Sequence, residues 1–420
     1  MMDAIVVGGG PSGLATAHAV IQARPGARVA VMERSDLRPR GATFGVCPNG
    51  MRALEAIRPE LKQALMQHHC DYEQRVIYDR TGTRMPSPPG DSGKTRILQH
   101  GEYIQVAWHS LQSTLAEALP PGTLHTGHRF LGYSESSGGV AAQFETAQGV
   151  RTIEAGVLIG ADGGQSAVRQ ALLGDGPPQF LGMAIWRAVR PRPAGWTDDH
   201  AVWGGIGQSI MVTALQGDLL CWQAFRPWPA DKLHLIGGRR QAYIQENDGG
   251  SAAQQDGVGS ASPSELGAER IRRCLDAFNE WPPHVLDLVA TTDPLSVTEH
   301  GQFFRDPDTC QAYARGCVAL VGDAAHLGTP MLSQGCSQAL EDALELGRAI
   351  GQFGPTPEAL AAYEAVRVPA ASEVQRWSFK LLRQFQQGQP GPSEVDVNID
   401  QGFIKRQHAP LVPAVTARSG

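Results

Sequence analysis

The stretch AIVVGGGPSGLAT, residues 4–16, decides the fold of this 420-residue chain. Residues 4–7 are a short apolar run, which predicts a buried strand, and a helical pattern follows over residues 11–23. A second apolar run at residues 28–32 completes a β-α-β unit within about 30 residues. The stretch therefore predicts an α/β fold that opens with two parallel strands joined by a helix.

The glycines between the first strand and the helix carry a nucleotide-binding pattern. Gly8, Gly10 and Gly13 form GxGxxG. Glu33 ends the second strand twenty residues after Gly13 (33 − 13), where its carboxylate can accept hydrogen bonds from ribose hydroxyls. Gly8 allows the tight turn, Gly10 lets the backbone approach a pyrophosphate, and Gly13 lets helix and strand pack closely. The pattern predicts a dinucleotide site, and a glycine-rich turn with a surface carboxylate is the alternative.

The composition indicates a small-molecule partner. The 36 basic and 42 acidic residues give a net charge of −6 without long single-sign blocks, which argues against nucleic-acid binding. The seven cysteines form no CxxC pair and are odd in number, so neither a disulfide framework nor a metal site is predicted. No apolar run reaches about 18 residues, so no integral membrane segment is expected. We expect a cytoplasmic monomer or homodimer.

Later segments predict a second, antiparallel sheet. Residues 75–85, RVIYDRTGTRM, alternate about a Thr-Gly turn and predict a hairpin outside the parallel sheet. Three β-like runs between residues 180 and 228 carry four tryptophans. We expect these segments to form an inserted domain.

The remainder of the chain is predicted to form a surface loop, two helices and a tail. Residues 247–262 are rich in Gly, Ser, Gln and Asp and predict a surface loop. Ser262, followed by Pro263 and Glu265, predicts the capped start of a helix. A long helix is expected over residues 357–387, and the tail at residues 388–403 shows no clear period.

A second ligand-binding junction lies at residues 320–335, LVGDAAHLGTPMLSQG. It joins a predicted buried strand at residues 318–321 to a helix expected from Ser333 onward. A helix N-terminus presents free backbone N–H groups and the positive end of a dipole. The junction therefore suits an anionic or electron-rich ligand.

Three separated segments resemble the FAD-dependent monooxygenases of the p-hydroxybenzoate hydroxylase type. They are GGGPSG with MER at residues 32–34, LIGADGGQSAVR at residues 158–169, and LVGDAAHLGTPMLSQG at residues 320–335. The resemblance implies a Rossmann-like FAD-binding domain with an inserted antiparallel-sheet substrate domain. It places the FAD-binding domain at residues 1–70, 101–175 and 295–355, the sheet domain at residues 71–100 and 176–294, and a C-terminal helix and tail at residues 356–420.

The resemblance also implies which residues hold FAD without a covalent bond. Asp162 and Gly163 are expected beside the pyrophosphate, and Asp323 at the ribityl chain. Pro330 and Gly335 are expected to bracket the isoalloxazine ring, where the helix dipole stabilises the negative charge of the reduced ring. The full set assigned to the cofactor is Gly8, Gly10, Ser12, Gly13, Glu33, Arg34, Arg40, Gly45, Val46, Asp162, Gly163, Asp323, Pro330 and Gly335.

Two positions depart from the family pattern. Trp108 stands where members often have an arginine, and Ser337 where they often have an asparagine. Arg40 is expected either to compensate by reaching a phosphate or to be a solvated loop residue. His326 is interpreted as structural, and the cysteines near this site as packing residues.

The resemblance implies that NAD(P)H, bound only transiently, reduces FAD and that O₂ then forms a flavin C4a-hydroperoxide. One oxygen atom would pass to a hydrophobic, aromatic small molecule by hydroxylation or epoxidation in a pocket that excludes water. No single catalytic residue is identified; the candidate pocket residues are Trp186, Arg187, Trp203, Met211, Trp222, Phe225 and Pro330. Arg187 is expected to orient a phenolate or carboxylate, and strand alternation should turn half of the apolar wall residues into the core.

Two other functions stay open from the sequence. An FAD-dependent reductase or dehydrogenase of the same fold would use the cofactor without oxygen insertion. A non-catalytic binding protein would have to lose the residues beside the ring, whereas Asp323 and Pro330 are present. The sequence identifies neither the substrate nor a preference for NADH or NADPH.

Overall fold

The computed structural model describes residues 1–37, 43–69, 75–86, 103–136, 138–236, 262–310, 312–389, 395–407 and 411. Arg40 lies outside these residues, as does the predicted loop at residues 247–262 apart from Ser262. The described chain forms an eight-stranded, a six-stranded and a two-stranded sheet, with helices packed around them.

The elements of the described chain are numbered here in chain order. The strands are β1 (Met2–Val7), β2 (Val29–Met32), β3 (Thr43–Val46), β4 (Arg75–Asp79), β5 (Ile104–Ala107), β6 (Leu124–His125), β7 (Arg129–Ser136), β8 (Gly139–Thr146), β9 (Gly149–Gly160), β10 (Gln179–Pro191), β11 (His200–Gly205), β12 (Gln208–Leu215), β13 (Leu219–Pro227), β14 (Thr298–Phe304), β15 (Ala314–Arg315) and β16 (Val318–Leu320). The α-helices are α1 (Pro11–Ala23), α2 (Pro48–Ile57), α3 (Pro59–Met66), α4 (Trp108–Glu117), α5 (Ala167–Leu173), α6 (Pro263–Ala277), α7 (Pro283–Ala290), α8 (Asp323–His326), α9 (Gly335–Phe353), α10 (Pro357–Gln386) and α11 (Val395–Gln407).

The eight-stranded sheet contains the predicted β-α-β opening. Its order is β15-β16-β9-β1-β2-β6, and β8 joins through β9 and carries β7. β1 runs parallel to β2 and β9, and β16 runs parallel to β9. Residues 4–7 are all buried, as expected for a parallel strand covered on both faces. The predicted α/β class and the bounds of α1 are confirmed.

The six-stranded sheet has the order β14-β10-β13-β12-β11-β4. Its pairings are antiparallel except that β4 runs parallel to β11. The middle β-like run of the sequence is not one strand but the hairpin β11–β12, which turns through Gly207 at φ +68°. β4 is the first arm of the hairpin predicted at residues 75–85, and the second arm is reduced to one bridge between Tyr78 and Arg84.

Three tryptophans of this sheet lie in a hydrophobic core, not in a pocket. Trp186, Trp203 and Trp222 are at most 1% exposed and pack on the side of α6 and α7. The indole N–H of Trp222 donates to Thr292 Oγ1 at 3.0 Å. The expectation that these three side chains line the substrate pocket is wrong, because strand alternation directs them away from the face that carries Met211.

The predicted helices are observed, one of them with a different start, and the described chain contains further helices that the sequence did not predict. The capping box of Ser262 and Glu265 is confirmed at the start of α6. α9 begins at Gly335 and not at Ser333, because Ser333 has the left-handed φ of 53° that closes a preceding 3₁₀ turn. The tail contains α11, which the irregular apolar spacing did not predict. None of the helices in the described ranges is long and apolar enough to cross a membrane.

Trp222→Ala is expected to lower the free energy of unfolding by about 3–5 kcal/mol, because it leaves a cavity in a fully packed core. Phe225→Ala, on the opposite face of the same strand, removes a partly exposed side chain and should cost less. Urea unfolding followed by circular dichroism measures both values. Equal losses would show that the tryptophan face is not the core face.

Candidate active site

The three motif segments meet at one edge of the eight-stranded sheet. β1, β9 and β16 are neighbouring parallel strands, so the turns that follow them leave the sheet together. The Ala161 N–H donates to the Val7 carbonyl at 2.8 Å, and the Val321 N–H donates to the Gly160 carbonyl at 2.9 Å. Ligands of open parallel sheets bind at such carboxyl ends. The geometry makes this edge the candidate cofactor site.

The glycine turn after β1 is closed by packing on one side and open on the other. Gly8 has φ +113°, and a Cβ atom there would lie 2.3 Å from the Ala161 carbonyl oxygen. A Cβ atom at Gly13 would lie 2.0 Å from the Gly8 carbonyl oxygen. At Gly10 the nearest described atom would be Trp108 Cζ2, at 3.9 Å. Gly8 and Gly13 therefore hold the turn against the sheet, while Gly10 leaves the backbone accessible to a ligand.

The Glu33 carboxylate is bound to the same turn. Its Oε2 accepts from the Gly9 N–H at 2.7 Å, and its Oε1 accepts from the N–H and the hydroxyl of Ser35, each at 3.0 Å. The carboxylate therefore fixes the turn, and its contact with a ribose stays a prediction. The neighbouring Arg34 side chain is exposed, and its cofactor contact also stays a prediction.

A buried hydroxyl between the first and third motifs lacks a hydrogen-bond partner among the described residues. It is Ser12 Oγ, and a Cβ atom at Gly322 would lie 2.6 Å from it. Leaving a buried polar atom unpaired costs free energy, which a phosphate or sugar oxygen of a ligand would recover. This hydroxyl and the open backbone at Gly10 fit a bound FAD.

The Asp162 carboxylate caps α5. It accepts hydrogen bonds from the Ala167 N–H at 2.6 Å, the Val168 N–H at 3.1 Å and the Ser166 hydroxyl. Gly163, with φ +79°, forms the turn that brings the start of α5 back to the Asp162 carboxylate. Asp162 thus shapes the second motif, and the expected contact of Asp162 and Gly163 with the pyrophosphate stays a prediction.

A buried arginine to which the sequence patterns assigned no role joins the second and third motifs. Arg169 is 1% exposed, and its Nη1 donates to the Ala324 and Ala325 carbonyls at 2.9 and 2.8 Å. Its Nε donates to both carboxylate oxygens of Asp175, at 3.1 and 2.9 Å. The only signal in the sequence is its place at the end of LIGADGGQSAVR. Arg169 therefore fixes the spacing between two cofactor motifs.

Asp323 faces the open space at the sheet edge. Its carboxylate is reached by solvent and makes no hydrogen bond with any described residue. The surrounding protein desolvates Asp323 and raises its pKa, an effect that the charge of His326 opposes. Asp323 is therefore in contact with solvent and is also surrounded by protein atoms on its other sides. Burial and the nearby Asp323 charge raise the pKa of the Cys336 thiol to about 12.

The start of α9 borders the same space. A Cβ atom at Gly335 would meet no described atom within 4 Å, and Pro330 is exposed. The Cys47 N–H donates to Ser337 Oγ at 2.9 Å, and the Cys47 thiol donates to the Ser333 carbonyl at 3.5 Å. The serine that stands where asparagine is frequent therefore ties α9 to the start of α2.

A buried carboxylate on α9 holds the turn of the third motif, which follows β16. Asp342 Oδ2 accepts from the Gly322 N–H at 2.7 Å and lies 2.6 Å from His326 Nε2, while its Oδ1 accepts from Arg367 Nε at 2.7 Å. Burial acts to raise the pKa of Asp342, but His326 and Arg367 outweigh it and lower the pKa to about 2. His326 thus makes a structural contact, in line with the interpretation from sequence.

The face of the six-stranded sheet opposite the tryptophans looks toward β3. Arg187, Met211 and Phe225 lie on this face, which we call the inner face. The neighbouring Gln223 donates from Nε2 to Thr43 Oγ1 of β3 at 3.2 Å. β3 therefore connects the inner face to the third motif, through Thr43 at its start and Cys47 just after its end.

The chain matches the family described as FAD binding domain over residues 1–177 and 281–378. It belongs to this family. It is similar to a 6-hydroxynicotinate 3-monooxygenase of Pseudomonas fluorescens, with 31% identity over 382 residues that cover 89% of each chain. It is also similar to a 3-amino-4-hydroxybenzoate 2-monooxygenase of Streptomyces cremeus, with 31% identity over 389 residues, 90% of this chain and 86% of the relative. HpxO of Klebsiella pneumoniae, solved with FAD and uric acid, shares the fold with a TM-score of 0.72 at 23% identity, covering 96% of this chain and 92% of that one.

This FAD-binding protein is a monooxygenase, an enzyme of the oxidoreductase class. The resemblance seen in the three motifs and the FAD cofactor are confirmed. The relatives support oxygen insertion into an aromatic small molecule and do not support the reductase alternative.

Gly10→Ala is expected to leave the apoprotein folded and to weaken FAD binding by at least about tenfold, because its methyl group enters the space through which the backbone meets a ligand. Gly13→Ala should instead destabilise the apoprotein, since its methyl group would clash with the Gly8 carbonyl. Flavin titration and thermal unfolding of the apoproteins separate the two effects. An FAD affinity equal to that of the wild type in Gly10→Ala would show that the glycine turn does not contact the cofactor.

Asp323→Ala is expected to weaken FAD retention without changing the stability of the apoprotein, because the carboxylate bonds to no described residue. Asp162→Ala, the matched variant, removes a helix cap and should lower the free energy of unfolding by about 1 kcal/mol. Gel filtration of the holoproteins and urea unfolding of the apoproteins test the pair. A loss of apoprotein stability in Asp323→Ala would assign that residue to the scaffold.

Proposed function

We propose that the protein hydroxylates a small aromatic acid, with O₂ as the oxygen source and Arg187 as the residue that binds the substrate carboxylate. Bound FAD supplies the electron transfer that activates O₂, so that one oxygen atom enters the ring and the other leaves as water. Substrate, O₂, NAD(P)H and one proton give the hydroxylated product, NAD(P)⁺ and water.

The charge of Arg187 carries this proposal. Its side chain is partly buried on the inner face, where Nε donates weakly to Thr298 Oγ1 at 3.4 Å. No carboxylate of the described ranges pairs with its guanidinium. Glu299, the next residue on β14, points to the opposite face and binds Trp186 and Arg273 at 2.6 and 2.8 Å. A partly buried guanidinium without a counter-ion favours a carboxylate ligand, which it can hold by two parallel hydrogen bonds.

The relatives and the remaining inner-face residues support the same class of substrate. Nicotinate and benzoate, in the names of the two relatives, are aromatic carboxylates. Met211 and Phe225 give the inner face an apolar surface for a ring. Such a surface excludes water during oxygen transfer.

The cofactor residues form part of the proposal. Gly10 and Ser12 would contact the pyrophosphate, Asp323 the ribityl chain, and Pro330 and Gly335 the ring at the start of α9, whose dipole favours negative charge. The remaining members of the assigned set with described positions are Gly8, Gly13, Glu33, Arg34, Gly45, Val46, Asp162 and Gly163.

We also propose that residues 71–100 and 176–294 form the substrate domain, because the family match omits residues 178–280 and this segment holds most of the six-stranded sheet. Residues 1–70, 101–175 and 295–355 would form the FAD-binding domain and residues 356–420 the C-terminal part. A monomer or homodimer in the cytoplasm completes the proposal. The cysteines within the described ranges form no disulfide bonds, which suits a reducing compartment.

The holoenzyme is expected to oxidise NAD(P)H slowly alone and faster with a true aromatic acid, with ¹⁸O₂ label in the product. Arg187→Met should weaken binding of the acid by at least about tenfold, because it removes a charge-assisted pair. Arg190→Met is the control, since Arg190 lies on the same strand and donates to the Leu288 carbonyl on the other face. Changes in flavin absorbance on titration measure the affinities.

Two results would contradict the proposal separately. Anaerobic turnover of the substrate with NAD(P)H, together with an aerobic product that carries no ¹⁸O label, would show that the enzyme does not insert oxygen from O₂. Unchanged affinity of Arg187→Met for the acid would remove Arg187 as its binding residue.

A further inference from the structure

A second buried polar atom, in addition to Ser12 Oγ, has no hydrogen-bond partner among the described residues. Gln105 on β5 is 6% exposed, and its Nε2 donates to the Tyr103 hydroxyl at 3.0 Å. Its Oε1 is buried and accepts no hydrogen bond within the described chain. A buried amide oxygen loses its bonds to water on folding, so leaving it unpaired costs free energy. Such a group is a ready acceptor for a ligand.

The register of the two-stranded sheet shows where Gln105 points. Thr43 pairs with Ala107, and Gly45 pairs with Gln105, so these four residues share one face. On that face Thr43 accepts the hydrogen bond from Gln223. Ala107 packs against the cluster that contains Leu215 and Cys221 of the six-stranded sheet. The face that carries Gln105 is therefore the one directed at the inner face.

The same register links Gln105 to Arg187. Gln223 and Arg187 are direct partners across β13 and β10. Gln223 also bonds to Thr43, which lies two residues from Gly45, the partner of Gln105. A cation without a counter-ion and an amide oxygen without a donor therefore lie on two sheets whose faces are directed at each other. A ring with an acid group at one position and a hydrogen-bond donor at another complements this arrangement.

We propose that Gln105 is a specificity-determining residue that accepts a hydrogen bond from a hydroxyl or amino group on the ring of the aromatic acid. The proposal rests on the function proposed above, in which Arg187 binds the carboxylate. An amide oxygen accepts but cannot neutralise charge, so the site selects a neutral donor there and rejects a second carboxylate.

The test is a titration of the FAD-loaded protein with benzoate and with the isomeric hydroxybenzoates and aminobenzoates, followed by flavin absorbance. In the wild type, the best isomer should bind about tenfold more tightly than benzoate, because it pairs a buried acceptor. Gln105→Met has a similar volume without the amide oxygen. Gln105→Met should bind benzoate as the wild type does. The ratio of its dissociation constant for benzoate to that for the best isomer should fall to about one.

Two further variants locate the effect. Gln105→Glu keeps an acceptor oxygen and should retain the preference for a donor-bearing isomer. Gln302→Met removes another buried glutamine whose amide atoms have no partner in the described ranges, on β14, and should leave the preference unchanged.

Each alternative result has a distinct meaning. A wild type that binds benzoate but shows no preference among the isomers would overturn the role of Gln105, even if Gln105→Met failed to fold. Persistence of the preference in Gln105→Met, its loss in Gln302→Met, or weakened FAD binding in Gln105→Met would overturn it as well. A wild type that binds none of the benzoates would instead contradict the proposed function itself.

Discussion

The buried carboxylate of Asp342 is the contact on which the cofactor edge depends. It accepts the backbone N–H of Gly322 and bonds to His326 in the third turn, and it pairs with Arg367 of α10. Three separate elements are therefore held by one side chain. A buried carboxylate is costly unless it is paired, so removing Arg367, which forms an ion pair with it, would destabilise the protein strongly. The low pKa of Asp342 keeps this carboxylate ionised at neutral pH.

The parts of the structure that the sequence predicts are those that depend on residues close together in the chain. The glycine turn, α1 and the capping box of Ser262 depend on residues close together in the chain, and their bounds follow from them. Both faces of the six-stranded sheet are rich in apolar residues, so alternation alone does not tell which face carries the core and which is the inner face. The roles of Arg169 and Asp342 were not predicted because their partners lie far away in the sequence.

The small sheet of β3 and β5 connects the inner face of the six-stranded sheet to the third motif. Thr43 at its start bonds to Gln223 on the inner face, and Cys47 just after it bonds to Ser337 and Ser333 beside the cofactor motif. A shift of this sheet would move the substrate side and the cofactor side together. The two-stranded sheet therefore fixes the position of the inner face relative to the third motif.

The raised pKa of Cys336 bears on the durability of the enzyme. A flavin monooxygenase that turns over without its substrate releases hydrogen peroxide, and the thiolate is the form of cysteine that peroxide attacks. With a pKa of about 12, the Cys336 thiol is ionised in only about one molecule in 10⁵ at neutral pH. Burial, reinforced by the charge of Asp323, thereby keeps this thiol in its unreactive form. The sulfur at the start of α9 is thus protected from oxidation mainly by its burial and further by the charge of Asp323.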